Sequence, residues 1–256
     1  MYSNLKTVLQ RVAVSNIRLY AFVRSNVGRF GFLLPHDSSF YAFKKLGGGR
    51  GIFLDVGAND GISARSYRKL VPNRPIVSIE PNPHHEASLL RVEKSIEDFS
   101  FMLIGAGEAN GELVLHTPIY KGFALTNYAS LDPESARKNL ERHMNIRNIG
   151  KNSKFSENRI PIKRLDELNF EPAIIKIDVE GFEDMVISGL RDTIIRAQPL
   201  LMIEYNQRSF STAKTIMTEL EYTAKSYDVS SDKFVAFNET TPSLNVFFLP
   251  KNATYS

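Results

Sequence analysis

The chain has 256 residues, of which 43% are hydrophobic and 23% are charged, with a formal net charge of +4. This length supports one large α/β domain with a full core, and the composition is ordinary for a globular protein. The lack of cysteine excludes disulfides, thiolate metal sites and a cysteine nucleophile. The lack of cysteine fits a reducing cytosol, and no apolar run approaches the roughly 20 residues that span a bilayer. We therefore expect a cytoplasmic protein.

The first 36 residues carry basic side chains, no acidic ones, and apolar residues at roughly helical spacing. This pattern predicts a helical N-terminal extension over residues 1–49, whose last short helix stops at the glycines of residues 47–49. A basic amphipathic helix can make peripheral contact with an anionic membrane. The alternative is a helix that packs on the domain with its basic face in water.

Residues 50–256 alternate predicted strands and helices, the pattern of a doubly wound α/β fold. The predicted core strands lie at residues 52–56, 76–79, 100–105, 173–177 and 199–203. Three later segments, at residues 223–227, 234–237 and 245–249, predict closing strands, with the last two as a hairpin. We therefore expect a mostly parallel sheet with an antiparallel closing strand.

Residues 117–169 are predicted to be an insertion, since a simple crossover needs far fewer residues. Residues 133–144 predict a helix, and residues 158–162 are the one strand-like stretch. The part from 137 to 164 holds nine basic residues and two acidic ones. Because ligands bind at the carboxyl edge of open α/β sheets, the insertion is a candidate substrate lid, and a solvated loop is the alternative.

An acid ends each of the first two predicted strands. Asp55 is followed by a turn with Gly57 and Gly61, and Glu80 ends the next strand. Glycines let the backbone approach a ligand, and the second acid can accept hydrogen bonds from ribose hydroxyls. Asp55 and Asp60 would repel a pyrophosphate but attract a cationic sulfonium and an amino group. This pattern favours S-adenosylmethionine over NAD, and an ordinary βα turn is the alternative.

Polar residues also follow the last two core strands: Asp178 and Glu180 after one, Glu204 and Asn206 after the other. We predict Asp178, Glu180 and Glu204 as catalytic residues that orient or deprotonate an acceptor hydroxyl. Asp178, Glu204 and Asn206 also suit a hard cation such as Mg²⁺, which would lower the pKa of a coordinated hydroxyl. The alternatives are a metal-free site and capping or helix-dipole roles for the first two acids.

With these residues in place, the chain resembles the FkbM-type S-adenosylmethionine-dependent methyltransferases. The matching blocks are FLDVGANDG (53–61), SIEPNP (78–83), the turn at 105–112, IKIDVEGFE (175–183) and MIEYN (202–206). The resemblance covers about residues 50–206 and implies a Rossmann-like class I methyltransferase domain over residues 50–256. It also implies transfer of a methyl group to a hydroxyl, often of a sugar or a polyketide.

The resemblance further implies roles by position. The implied cofactor-binding residues are Asp55, Gly57, Asn59, Gly61, Glu80, Asn82 and Gly105. The turn after the first strand would line the methionine end, Glu80 would bind the ribose, and the segment from Gly105 would pass near the adenine. The block at residues 176–181 would close the methionine side and face the acceptor.

We expect a small-molecule or glycan acceptor: a hydroxyl of a sugar, a glycolipid or polysaccharide precursor, or a secondary metabolite. The basic insertion and N-terminus would suit an acceptor that carries phosphate or is presented at a membrane. A nucleic-acid methyltransferase is less favoured because the sequence has no RNA-binding module or block for base N-methylation. A non-catalytic nucleotide-binding module is a third class, against which the acids at the strand ends argue. An NAD-dependent oxidoreductase ranks last because of the acidic turn.

Overall fold

The computed structural model describes residues 35, 37–46, 50–144 and 148–251, so the N-terminal helix predicted over residues 1–34 lies outside it. The strands are β1 (Ile52–Val56), β2 (Ile76–Ile79), β3 (Phe99–Met102), β4 (Gly105–Ala106), β5 (Gly111–Tyr120), β6 (Phe123–Ala124), β7 (Lys154–Lys163), β8 (Pro172–Ile177), β9 (Leu200–Glu204), β10 (Tyr222–Asp228), β11 (Lys233–Ala236) and β12 (Asn245–Pro250). The α-helices are α1 (Ile62–Leu70), α2 (Glu86–Glu93), α3 (Pro133–His143), α4 (Ile149–Asn152), α5 (Glu183–Ser188), α6 (Arg191–Ala197) and α7 (Phe210–Glu219).

The large sheet has eight strands in the order β11-β10-β12-β9-β8-β1-β2-β3. The neighbouring strands β3, β2, β1, β8 and β9 pair in parallel, and β12 runs antiparallel between β9 and β10. The predicted mostly parallel sheet with an antiparallel closing strand is therefore confirmed. Because the carboxyl ends of parallel strands meet at one edge, β1, β2, β8 and β9 deliver their final residues to a common site.

The predicted hairpin of the last two strands is wrong, because β11 pairs with β10 rather than with β12. The turn between β10 and β11 is short and is held by Asp228, whose carboxylate accepts hydrogen bonds from the backbone of Ser230 and the hydroxyl of Ser231. This polar turn closes the β10–β11 hairpin, and the longer connection after β11 leads to the middle of the sheet.

Helices cover both faces of the large sheet, as expected for a doubly wound fold. Neighbouring strand residues point to opposite faces, so Phe53 packs with α1 and α2 while Leu54 packs with α5 and α7. The central strands are apolar on both sides because both faces are buried.

A 3₁₀ helix at Ser38–Leu46 belongs to the same core. Phe40 and Phe43 are almost fully buried, and the Phe43 ring makes edge contacts with Phe53, Tyr67 and Phe247. This short helix lies within the extension predicted over residues 1–49, yet it packs into the domain that follows.

Between β3 and β8 the chain forms a second, four-stranded sheet in the order β4-β7-β5-β6. The sheet begins at Gly105, upstream of residue 117, and its main feature is the long antiparallel pair of β5 with β7. The predicted single strand at residues 158–162 is corrected to Lys154–Lys163. Its alternation is weak because most of its residues are exposed or half-buried. The helix predicted at residues 133–144 is confirmed as α3.

Among the residues that the structure describes, no helix is both long and apolar enough to cross a membrane.

Candidate cofactor and acceptor site

The turn after β1 needs glycine for steric reasons. Gly57 has φ +83, and a Cβ there would lie 1.8 Å from the carbonyl oxygen of Asp178. Gly61 has φ +82, and its Cβ would lie 2.6 Å from the Val92 side chain of α2. The first glycine thus lets the turn touch the backbone after β8, and the second lets it pack on α2.

Asp55 lies beneath this turn and is fully buried. One carboxylate oxygen accepts hydrogen bonds from the hydroxyls of Ser63 and Ser78. The other lies 3.2 Å from Nζ of Lys176, on the neighbouring strand β8. Asp55 therefore supports the turn from below and contributes negative charge to the predicted methionine end.

Glu80 is held at the end of β2 by the backbone. One carboxylate oxygen accepts from the backbone N–H of Asn59 at 2.7 Å, and the other from that of Asn82 at 2.8 Å. Burial raises the pKa of Glu80 to about 7, although both hydrogen bonds and the charge of Lys176 act to lower it. Each carboxylate oxygen has two acceptor sites, so Glu80 retains capacity for ribose hydroxyls.

The side chain of Asn82 connects two parts of the molecule. Its oxygen accepts from the backbone N–H of His84, which caps the 3₁₀ helix Pro83–His85. Its nitrogen donates to the hydroxyl of Thr117 on β5 at 3.3 Å. The predicted ribose end of the site is therefore linked to the second sheet. A Cβ at Gly105, which begins that sheet, would lie 2.4 Å from Cδ1 at the end of the Ile162 side chain on β7, which would have to shift.

The three predicted catalytic acids come together. Oxygen atoms of Asp178, Glu180 and Glu204 all lie within 4.8 Å of one another. Burial and the neighbouring Asp178 raise the pKa of Glu204 to about 8. Asn206, predicted as a metal ligand, accepts from the backbone N–H of Arg208 and lies against Gly181.

The loop that carries this cluster is shaped by a residue to which the sequence analysis assigned no role. Glu183 is fully buried. One of its oxygens accepts from the backbone N–H groups of Val179 and Gly181, and the other accepts from the hydroxyl of Ser209. The signal was present in the block IKIDVEGFE, whose final residue is this acid. Glu183 thus fixes the loop on which Asp178 and Glu180 stand.

The loop also has an unusual backbone conformation. Glu180 has φ +56 and is exposed, and Gly181 follows with φ +100. A positive φ at a residue with a side chain is uncommon and is held only where surrounding contacts require it. The hydrogen bonds from the backbone of Val179 and Gly181 to Glu183 are such contacts. In this conformation a carboxylate oxygen of Glu180 lies within 4.8 Å of oxygens of Asp178 and Glu204.

Two observations test whether these residues fit S-adenosylmethionine, the cofactor that the resemblance implies. Glu80 is a buried carboxylate, rigidly held and with free acceptor capacity, which suits a ribose diol. Asp55 and Asp178 place negative charge beside the glycine turn, which suits a sulfonium and an amino group. The residues present fit this cofactor.

The antiparallel strand β12 is inserted between β9 and β10 of an otherwise mostly parallel sheet. This strand order and the site at the carboxyl edge define a class I methyltransferase fold. A profile of the Methyltransferase FkbM domain matches residues 55–228. The chain belongs to this family.

One curated relative is 2-O-methyltransferase NoeI of Sinorhizobium fredii (strain NBRC 101917 / NGR234), with 24% identity over 162 residues. The match covers 61% of this chain and 64% of the relative, slightly less than two thirds of that protein. Methyltransferase FkbM from Methylobacillus flagellatus KT matches with a TM-score of 0.49 and 17% identity, over 77% of this chain and 43% of that one. CalS11, a TDP-rhamnose 3′-O-methyltransferase of calicheamicin biosynthesis, matches with a TM-score of 0.42 and 9% identity, over 98% of this chain and 93% of that one. At these identities the structural likeness concerns the fold alone.

Proposed function

We propose that this FkbM-family protein is an S-adenosylmethionine-dependent O-methyltransferase that acts on a hydroxyl of a sugar or a sugar-containing acceptor. The observation that carries the proposal is the meeting of Asp178, Glu180 and Glu204 at the same sheet edge as the glycine turn and Glu80. The name of the relative NoeI supports a sugar-type acceptor, since it is a 2-O-methyltransferase.

The cofactor supplies an electrophilic methyl group on a sulfonium. Glu80 would hold the ribose hydroxyls, and the buried Asp55 would keep the turn negative beneath the methionine end. The acid cluster would hold the acceptor hydroxyl in line with the methyl group and take its proton as the new C–O bond forms. Because methyl transfer from a sulfonium is chemically favourable, positioning supplies much of the rate.

A divalent cation such as Mg²⁺ is a second proposed cofactor of the same cluster. Three carboxylates with oxygen atoms within 4.8 Å of one another resemble the donor set of a hard cation, and Glu180 would join the predicted Asp178 and Glu204. The cation would orient the acceptor hydroxyl. A metal-dependent enzyme loses turnover on treatment with a chelator and regains it with Mg²⁺, whereas unchanged turnover removes the cation from the proposal.

The acceptor is proposed to carry phosphate or to be presented at an anionic surface. Four exposed basic residues lie on α3, on α4 and at the start of β7: Lys138, Arg142, Lys151 and Lys154. Cytoplasmic location and membrane contact through residues 1–34 remain predictions from the sequence.

The function is tested by transfer of a labelled methyl group from S-adenosylmethionine to a panel of free sugars, nucleotide-activated sugars and lipid-linked sugars. Label in a base-stable product supports an ether, because methyl esters hydrolyse in base. Asp178→Asn and Glu204→Gln should abolish transfer while S-adenosylhomocysteine still binds. Transfer to RNA alone, with steep loss on added salt, would replace the sugar acceptor by a nucleic acid.

A further inference from the structure

Lys176 is a buried cation between the two halves of the site. It lies on β8 and is about 4% exposed. Its Nζ donates to the carbonyl oxygen of Gly57 at 2.9 Å and lies 3.2 Å from Asp55 and 3.3 Å from Asp178. One ammonium group therefore contacts the glycine turn, the buried acid beneath it and the first acid of the cluster.

Its charge matters because the site is rich in acids. Around Lys176 stand the carboxylates of Asp55, Glu80, Asp178, Glu180 and Glu204. In a partly buried site the charge of each ionised carboxylate is weakly screened, so the ones nearest the ammonium, Asp55 and Asp178, affect the free energy of a bound cation. The two carboxylates beside the ammonium, Asp55 and Asp178, stabilise the charged form of Lys176 and hold its pKa above the ordinary value in spite of burial.

Methyl transfer changes charge at the cofactor. The sulfonium carries one positive charge, and the S–CH₃ bond breaks with its electron pair left on sulfur, which becomes a neutral thioether. The methyl group bonds to the acceptor oxygen, and the hydroxyl proton passes to the acid cluster. Carboxylates beside the sulfonium therefore stabilise the ground state more than the transition state, and such binding raises the barrier.

We propose that Lys176 is a positioning residue that sets the charge of the cofactor site, so that the acids recognise the sulfonium without holding it too tightly. The proposal rests on the proposed function. It deepens that function by assigning Lys176 two linked roles. The ammonium group fixes the turn at Gly57 relative to Asp178, and its charge offsets part of the negative charge of the surrounding acids. A purely structural role would require the contacts but not the charge at the ligand.

The ratio of two dissociation constants separates these roles. S-adenosylmethionine and S-adenosylhomocysteine share every group except the methyl and its charge, so a packing defect weakens both by similar factors. Lys176→Met makes the site more negative, and it should shift the ratio roughly tenfold in favour of S-adenosylmethionine, the order of magnitude expected when one unit charge is lost from a partly buried site. Lys176→Arg retains the charge and should keep the wild-type ratio.

Calorimetric titration of the full chain with both ligands measures the ratio. Since Lys176→Met leaves Asp55 buried beside no cation, a second pair guards against misfolding: Asp55→Asn compared with Asp55→Asn/Lys176→Met, where the same tenfold shift is expected. If the ratio of the two dissociation constants is the same in wild type and Lys176→Met, or in Asp55→Asn and the double variant, the proposal is overturned. The proposed function still stands in that case, provided that the wild type binds both ligands. A wild type that binds neither ligand rejects the proposed function itself.

Discussion

Asn82 and Thr117 share a buried hydrogen bond of 3.3 Å that joins the end of β2, the predicted ribose end of the site, to the second sheet. Both residues are nearly or fully excluded from solvent. Asn82 also donates its backbone N–H to Glu80, so the contact from Thr117 reaches the predicted ribose ligand through one residue. The second sheet is thus attached to the proposed cofactor site through a buried polar contact.

Thr117→Val should destabilise the protein through this contact. The substitution retains the branched shape but leaves Nδ2 of Asn82 buried without that acceptor, which costs about 1–3 kcal/mol. The free energy of unfolding from urea titration measures the loss. Thr218→Val is the control, since that exposed threonine donates only within α7, and it should change stability by less than about 0.5 kcal/mol. Equal losses in both variants would contradict the role of the Asn82–Thr117 bond.

Gly57→Ala should be far more harmful than Gly122→Ala. The two glycines have almost the same backbone angle, φ +83 and φ +84. A Cβ at Gly57 meets backbone, whereas at Gly122 it meets nothing within 4 Å. Gly122→Ala therefore costs only the strain of the left-handed conformation, about 1–2 kcal/mol of folding stability. Gly57→Ala should lose more than about 4 kcal/mol of folding stability, or fail to fold.

Soluble yield and thermal unfolding compare the two glycine variants. Their shared φ cancels the conformational cost, so the difference reports the close approach of the turn to Asp178. Similar melting temperatures would show that the turn can move away from the β8 loop.

Glu183→Ala should disorder the loop of the acid cluster, and Glu183→Gln should not. Alanine removes the acceptor of two backbone N–H groups and the partner of Ser209, at a cost of about 2–4 kcal/mol. Glutamine can accept from the backbone with its oxygen and donate to Ser209 with its nitrogen. Labelled methyl transfer and thermal unfolding check both variants. Full activity in Glu183→Ala would exclude this acid as the residue that shapes the loop.

Binding of S-adenosylhomocysteine should strengthen as pH rises through about 7. The free protein has a Glu80 pKa of about 7 because burial disfavours the charged form. Ribose hydroxyls donate to the ionised carboxylate, so bound ligand lowers this pKa, and affinity falls below about pH 7 by up to tenfold per pH unit. Titrations from pH 5.5 to 8.5, run beside Glu80→Gln, should show a slope that the variant lacks.

The raised pKa of Glu80 makes folding stability change with pH in the opposite direction to ligand binding. The folded-state value lies above the ordinary 4.5, so the folded protein binds more protons than the unfolded chain between about pH 4.5 and 7. Stability contributed by Glu80 therefore falls as pH rises through that window. Glu80→Gln should remove this contribution, and urea titrations at pH 5 and pH 8 measure it. A wild type that is less stable to urea at pH 5 than at pH 8, with no such difference in Glu80→Gln, would contradict the assignment.

The main sheet and the site's acids could be predicted because their signals are local. Apolar runs that end in Asp55, Glu80, Asp178 and Glu204 mark the ends of buried parallel strands, and parallel strands bring such ends together. The sequence alone therefore predicts which carboxylates meet. Glycine positions are visible as well, but the reason for Gly57 is a contact with residue 178, far along the chain.

The second sheet and the supporting contacts could not be predicted, since they depend on pairing across long separations. Most residues of β7 are exposed or half-buried, so its alternation is weak, and its partner β5 lies more than 30 residues away. Likewise Glu183 looks like any first-turn acid of a helix until Ser209 and the loop of Gly181 are placed around it. Tertiary contacts, not local pattern, define these roles.

The central claim is that the strand-end acids hold S-adenosylmethionine, and calorimetric titration with S-adenosylhomocysteine tests it most directly. We predict saturable one-to-one binding to the wild type, weaker binding to Glu80→Ala, and no binding of NAD in the same buffer. Failure of the wild type to bind S-adenosylhomocysteine, or binding of NAD in its place, would contradict the account.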